Sequence, residues 1–304
     1  GTAALQVAFK SLDLKPGDEV ILPSFTIISC VIAILECGAT PILVDCEKDT
    51  WCMKTDEVIK KINSKTKAIL VVHMFGHPVD LDPIIKIIKK KKIYLIEDAA
   101  ESHGAKYKNK IIGSFGDISC FSFYVNKLIT TGEGGMVLTN NEKLNKKIKS
   151  IKNLGFNTKR RFSHEEIGYN FRLTNIQAAL GLSQFESLDE HLKIKRRNTE
   201  IYNDLLSKSK IPIRLPIEKK WATNSYWMYG IVIEDRIFNA KELAKKLYKK
   251  KIETRPLFLG MHQQPILKKL GFFKNEKYKN TEELSEYGLY LPSGLRLGEK
   301  KIEY

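Results

Sequence analysis

Two side chains in this 304-residue sequence stand where they could do chemistry together. Lys127 follows an apolar run in FSFYVNKLITTGEGGMVLT, and Asp98 ends another in YLIEDAAESHG, 127 − 98 = 29 residues earlier. Strand ends of α/β sheets are where ligands bind, and a buried carboxylate there needs a cationic partner. Pyridoxal phosphate uses such a pair. A lysine holds its aldehyde as a Schiff base, and a carboxylate keeps its pyridine nitrogen protonated, so that the ring accepts electrons. Each residue alone has a plainer reading: Lys127 is one of many lysines, and Asp98 can cap the segment that follows it.

That cofactor also carries a phosphate. Free N–H groups and the dipole at a helix N-terminus favour an anion, and small or hydroxyl-bearing residues suit the position. Gly1 and Thr2 open the first helical stretch, and Ser122 lies five residues before Lys127. The turn Gly132-Glu133-Gly134-Gly135 lacks the spacing of a dinucleotide fingerprint, so its use is close approach of the backbone to the ring.

The elements that position these residues read as an α/β pattern with a mostly parallel sheet. GTAALQVAFKSL is helical, EVILPS is a short strand, and FTIISCVIAILECG is a helix closed by Gly38. PILVD, AILVVHMF and IYLIEDAA are apolar runs of the kind buried on both faces, with DPIIKIIKKKK as a crossover helix. DISCFSFY and GGMVLTN flank Lys127 as strands, and NEKLNKKIKSIKNLG follows as a helix. One long helix, IQAALGLSQFESLDEHLKIKRRNTEIYNDLLSK, is expected to bridge from a large domain (1–173) to a small α+β domain within 174–304. There SYWMYGIVIE and ETRPLFL read as strands around NAKELAKKLYKKK. The aromatics Trp221, Tyr226, Trp227 and Tyr229 read as the core of the small domain.

Composition narrows the function. At 43% hydrophobic the chain can bury a substantial core. Its longest apolar runs fall well short of the ~20 residues of a membrane span, and no leader peptide is legible. The five cysteines form no CxxC pair, which points to reduced thiols, the cytoplasm and no zinc site. The net charge of +16 is spread through lysine-rich helical stretches as solvated faces, without a nucleic-acid recognition motif. Nucleic acid is therefore not an expected partner, while a field of this sign attracts an anionic substrate.

Taken together, GTAAL, PGDEVILPSFT, GATPILVD, TKAILVVHMFGHPVDLDPI, the segment from IEDAAESHG through FSFYVNKLITTGEGGMVLTN, IGYNFRLTNIQAALGLSQ, ETRPLF and LPSGL resemble the DegT/DnrJ/EryC1/StrS family of sugar-nucleotide aminotransferases. The resemblance spans almost the whole chain. It implies the aspartate-aminotransferase-like fold (fold type I) and pyridoxal 5'-phosphate as cofactor. It also implies L-glutamate as amino donor, a nucleotide-sugar substrate and a homodimer with shared active sites. By motif, Lys127 becomes the Schiff-base lysine and general base, and Asp98 the partner of the pyridine nitrogen. Glu101 reaches the phenolic oxygen, Thr2 and Ser122 hold the phosphate, and Asn170 joins them from a second subunit. Arg255 and His262, in ETRPLFLGMHQQP, fall where the family approaches its substrate. His73, His77 and His103 could form a metal set from their positions alone, but the resemblance makes them packing and hydrogen-bonding residues. Ile27 stands where many relatives place an aromatic ring, and the family pattern includes a segment upstream of Gly1 that helps cover the substrate. Motif similarity favours GDP-linked 4-keto-6-deoxymannose, with UDP- and TDP-linked sugars open. A sugar 3-dehydratase of the same fold would carry histidine in place of Lys127, and a non-catalytic regulator would not need Lys127 with Asp98.

Overall fold

The computed structural model describes residues 1–156, 160, 162–208, 210–234 and 238–304. Helix α1 (Thr2–Lys10) leads into β1 (Glu19–Pro23), α2 (Ser29–Leu35), β2 (Thr40–Val44), α3 (Thr55–Lys61), β3 (Thr66–Val72), α4 (Asp82–Ile88) and β4 (Tyr94–Asp98). The two-residue strands β5 (Lys106–Tyr107) and β6 (Lys110–Ile111) precede β7 (Ile118–Ser122) and β8 (Gly135–Leu138). The six-stranded sheet has the order β2-β1-β3-β4-β7-β8, parallel except for β8, which returns antiparallel to β7. Its central strands are buried on both faces, which is why they read as continuous apolar runs rather than as alternating ones.

The lysine turn is a consequence of this topology. β4 and β7 are parallel neighbours in the register Asp98↔Cys120, so both chains leave the sheet at the same edge. β8 comes back with Gly135 opposite Ser122. A Cβ on Gly135 would lie 3.1 Å from the Phe121 carbonyl oxygen and 3.3 Å from the Ala4 methyl, so glycine is what lets α1 lie against this edge.

Helix α5 (Glu142–Ile151), capped by the Asn141 side chain, closes this half of the chain. The expected single bridging helix is two: α6 (Asn175–Phe185) and α7 (Leu188–Ser207). Thr174 and Gln177 form a capping box that starts α6. Ser187 leaves helical geometry at φ −98°, ψ 7°, and Asp189 and Glu190 begin α7 with the charges that a helix N-terminus favours.

The second sheet is antiparallel, in the order β12 (Arg255–Pro256), β13 (Gly288–Leu291), β11 (Tyr229–Ile233), β9 (Ile213–Arg214), while β10 (Ala222–Thr223) pairs with β5. Helix α8 (Ala240–Lys249), with its Asn239/Glu242 capping box, packs against it. Tyr202, Tyr229, Ile231 and Leu289 form a small core beneath this sheet, with Tyr202 and Tyr229 stacked at 4.5 Å. The aromatic cluster does not stay together there, contrary to the sequence reading. Trp221 packs on His77 and Tyr107, and Trp227 on Phe75, so both belong to the large core. Both lie between β9 and β11, in chain that packs against the large core between two strands of the second sheet. Among the described residues no helix is long and apolar enough to cross a membrane.

Candidate active site

The strand edge carrying Asp98 and Lys127 collects most of the residues singled out above. Asp98 ends β4 almost fully buried; the Ala100 N–H donates to its Oδ1 at 3.0 Å, and the Cys30 thiol donates to its Oδ2 at 3.3 Å. Burial, and then the neighbouring Asp98, push the Cys30 thiol well above its ordinary pKa, so it stays a donor to that carboxylate.

Lys127 lies in the turn beyond β7, its N–H donating to the Tyr124 carbonyl at 2.9 Å. Its Nζ is 3.7 Å from Glu101 Oε1 and 3.6 Å from the centre of the Trp227 ring. The indole is fixed in turn, since Trp227 Nε1 donates to the Asn126 carbonyl at 2.8 Å and the Trp227 N–H to the Phe75 carbonyl at 3.0 Å. The aromatic face and the carboxylate together give the ammonium two favourable neighbours.

Glu101 is buried, and burial pushes its pKa up to about 7 against the opposing pull of Lys127 and of the Phe75 N–H, which donates to Oε2 at 2.9 Å. That N–H is presented by an unusual backbone. Phe75 adopts φ 51°, ψ 21°, a left-handed conformation that costs a bulky residue of order 1–3 kcal/mol. The HMFGHP stretch is held there by the ring of Phe75 packed among Trp51, Trp227, Phe258 and Tyr290.

At the other end of the site the α1 N-terminus abuts Ser122. A Cβ on Gly1 would lie 3.2 Å from the Ser122 Cβ. The Thr2 and Ser29 hydroxyls are 2.8 Å apart, so two helix starts meet beside Ser122. These groups fit pyridoxal phosphate by their chemistry: N–H groups and hydroxyls for a phosphate, a buried carboxylate for a pyridinium and a primary amine for an aldehyde. When bound, that cofactor supplies an electron sink for the carbon bearing the transferred amino group.

The remaining candidates separate. Arg255 lines a cleft of about 610 Å³ together with Lys127, Asn126, Thr130, Gln184, Lys195, Trp227 and Arg296, and it pairs with Glu253 at 2.7 Å. His262 is not among the residues lining that cleft. It is buried, with Nδ1 2.8 Å from Ser24 Oγ and Nε2 3.0 Å from Glu282 Oε1, and it joins the β1 end to the C-terminal helices. Asn170 is exposed, accepting from Arg172 Nε at 2.7 Å, on a bridge with Asn153 rather than in the cleft.

The three histidines serve packing and hydrogen bonding. His73 lies 3.2 Å from Glu97 Oε2 and accepts from the Val79 N–H, His77 sits between the Pro78 carbonyl and the Lys219 N–H, and His103 packs on Phe121 and Phe123. No cluster of three metal-ligating side chains occurs among the described residues. Sequence reasoning missed Phe75, Trp227 and Lys195 as members of this site. The only signal for Phe75 was a glycine after an aromatic at the end of a strand, and Lys195 gave none.

Comparison with known proteins places the fold and the family. GDP-perosamine synthase of Escherichia coli O157:H7 is 42% identical over 307 residues, covering 100% of this chain and 81% of that protein. A Helicobacter pylori aminotransferase involved in the biosynthesis of pseudoaminic acid superposes with a TM-score of 0.93 at 27% identity, over 99% of this chain and 82% of that one. A Streptococcus pneumoniae protein, assigned as a sugar aminotransferase and solved in its PLP form, gives a TM-score of 0.91 at 26% identity, over 100% and 82%. The α/β fold with a mostly parallel sheet is thus the aminotransferase fold expected from the motifs. The family model spans residues 1–304, and the chain belongs to the DegT/DnrJ/EryC1/StrS aminotransferase family.

Proposed function

We propose that this chain is a pyridoxal-phosphate-dependent sugar-nucleotide aminotransferase that moves an amino group from L-glutamate to a 4-keto-6-deoxy sugar nucleotide. GDP-4-keto-6-deoxy-D-mannose is the substrate and GDP-perosamine the product. The observation that carries the reading is the meeting of Lys127, Asp98 and the α1 N-terminus at one edge of a parallel sheet. The full-length similarity to a GDP-perosamine synthase supports the choice of sugar and nucleotide. UDP- and TDP-linked keto sugars are the alternatives in the same assay.

In this reading Asp98 keeps a proton on the pyridine nitrogen, and Glu101 faces the phenolic oxygen. Thr2 and Ser122 take the phosphate. With the cofactor bound, Lys127 Nζ would hold its aldehyde carbon and, once free, would act as the base that moves the proton at the donor's Cα. Arg255 reaches substrate across the cleft. His262, with both ring nitrogens engaged, supports the wall behind it rather than the reacting atoms.

The working unit is a homodimer with sites built from both chains, the large domain of each (residues 1–173) holding the cofactor. Helix α6 supports this, because it is apolar yet buries none of its residues: Ile176 is 84% exposed, and Leu180, Leu182 and Phe185 are exposed beside it. Ile167 adds a further apolar side chain on the loop that carries Asn170. A surface of this kind marks an interface, and it would bring Asn170 to the phosphate of the partner's cofactor. Five free cysteines suit a cytoplasmic enzyme.

The test is to incubate the protein with pyridoxal phosphate, glutamate and a panel of GDP-, UDP- and TDP-linked keto sugars, and to identify aminated products by mass. A GDP-linked 4-amino-4,6-dideoxy sugar is the expected product. Amination of another nucleotide's sugar alone would refute the substrate, and no amination at all would refute the reaction.

A further inference from the structure

Lys195 lies on α7 in the stretch HLKIKRRN, where its neighbours Lys193 and Arg197 are exposed but its own side chain is 5% exposed. Lys193 pairs with Glu190 and Arg196 with Glu218, whereas no ion pair involves Lys195 among the described residues. Burial alone acts on it, lowering its pKa to about 7. A buried cation without a counter-charge is costly, and an apolar side chain of similar size would fill the same space more cheaply.

The ammonium donates to two backbone carbonyls, Trp227 at 2.6 Å and Ser293 at 2.5 Å. An ammonium has three N–H donors, so one is left over. Lys195, Trp227 and Ser293 all line the cleft that contains Lys127, and Trp227 touches both lysines, one through its ring and one through its carbonyl. The other charges of that wall are Arg255 and Arg296, with Glu253 already paired to Arg255. The cleft therefore has an excess of positive charge, with one cation buried and holding a spare donor.

We propose that Lys195 is the anion-binding residue of this cleft, giving its third N–H to an anionic oxygen of the substrate. The oxygen belongs either to a carboxylate of the amino donor or to a phosphate of the nucleotide sugar. The inference rests on the cleft being the substrate site of the aminotransferase proposed above. Its test is binding rather than turnover, so the two readings fail separately: intact anion binding without any aminated sugar would count against the reaction alone.

The deciding variant is Lys195→Gln, which removes the charge and leaves a polar amide, one atom shorter, in the same place. 2-Oxoglutarate and GDP are titrated separately into the cofactor-loaded wild-type and variant proteins by calorimetry, with melting temperatures recorded alongside. Loss of a hydrogen bond to a charged group predicts roughly ten- to hundredfold weaker binding of one or both anions, with the melting temperature little changed. The anion affected identifies the source of the oxygen. Equal affinities in the two proteins, or no binding of either anion to wild type, would overturn the proposal. If the variant does not fold, crystals of wild type with each anion decide it. An anion oxygen within hydrogen-bond reach of Lys195 Nζ supports the site, and an ammonium that keeps only its Trp227 and Ser293 contacts in both complexes removes it.

Discussion

Replacing Glu97 by Gln tests how the sheet holds the end of β4 in place. Glu97 is fully buried beside Asp98 and accepts from the N–H groups of Gly113, Phe115 and Gly116 at 2.9, 2.8 and 2.6 Å and from the Ser119 hydroxyl at 3.1 Å, with His73 Nε2 at 3.2 Å. Burial by itself would raise the carboxyl pKa. The hydrogen bond from His73, with the Gly113 and Gly116 N–H groups, outweighs it and holds the value at about 2, below the ordinary 4.5. Because the folded value is depressed, the stabilisation is fully present above pH 4.5 and is lost as the pH falls towards 2. The shift corresponds to about 3 kcal/mol at roughly 1.4 kcal/mol per unit. Gln keeps one acceptor oxygen but turns an NH₂ group towards N–H donors, leaving at least one unpaired, so the total loss is about 3–5 kcal/mol. Urea unfolding of both cofactor-free proteins between pH 7 and pH 3 reads this directly. The expected gap is about 3–5 kcal/mol at pH 7 and shrinks by roughly 2 kcal/mol on reaching pH 3. A gap below about 1 kcal/mol at pH 7, or one that stays constant to pH 3, would refute the argument.

Other outcomes follow from the same geometry. Borohydride reduction of the cofactor-loaded protein and peptide mapping should place the pyridoxyl label on Lys127, and a label on any other lysine would remove its role. Glu101 has its folded pKa raised by burial, so the cofactor-free protein loses stability as pH rises from about 4.5 to about 7. Glu101→Gln should therefore raise the melting temperature at pH 8 but not at pH 4; equal effects at both would mean that Glu101 does not titrate as argued. Ile176→Glu should convert the dimer to monomer on size-exclusion chromatography, and an unchanged elution volume would release α6 from the interface. Mixing inactive Lys127→Ala and Asn170→Ala chains should restore activity at one of the two sites of each hybrid, because that site takes its lysine from one chain and its asparagine from the other. No recovery in verified hybrids would mean that each chain builds its site alone.

The parallel sheet was legible because its strands are buried on both faces and read as short apolar runs closed by Pro, Gly or Asp. Lys127 and Asp98 were legible because their chemistry is specific and each follows such a run. The break at Ser187 escaped the helical pattern, since no proline or glycine marks it and the apolar period continues across it. Trp227 escaped for a different reason. Its sequence neighbours form the second sheet, but its ring is claimed by Phe75 and its indole N–H by Asn126, both a hundred residues or more away in sequence.

Lys195 marks the physical limit of reading charge from sequence. KIKRRN looks like one solvated helix face, and Lys193, Arg196 and Arg197 are partnered or exposed as such a face requires. What separates Lys195 is two carbonyls supplied by residues 227 and 293, which reach it only after β11 and β13 have paired in the register Tyr229↔Leu291. Pairing at that register brings the start of one strand and the end of the other to the same side, next to the turn of Lys127. A one-residue slip would turn the slipped strand's side chains over and separate the two carbonyls that meet at the ammonium. The second sheet therefore sets the position of a buried charge in the cleft, and a change in β11 or β13 that shifts register should be felt there before it is felt at Asp98, whose partners Cys30 and Ala100 lie wholly within the first half of the chain.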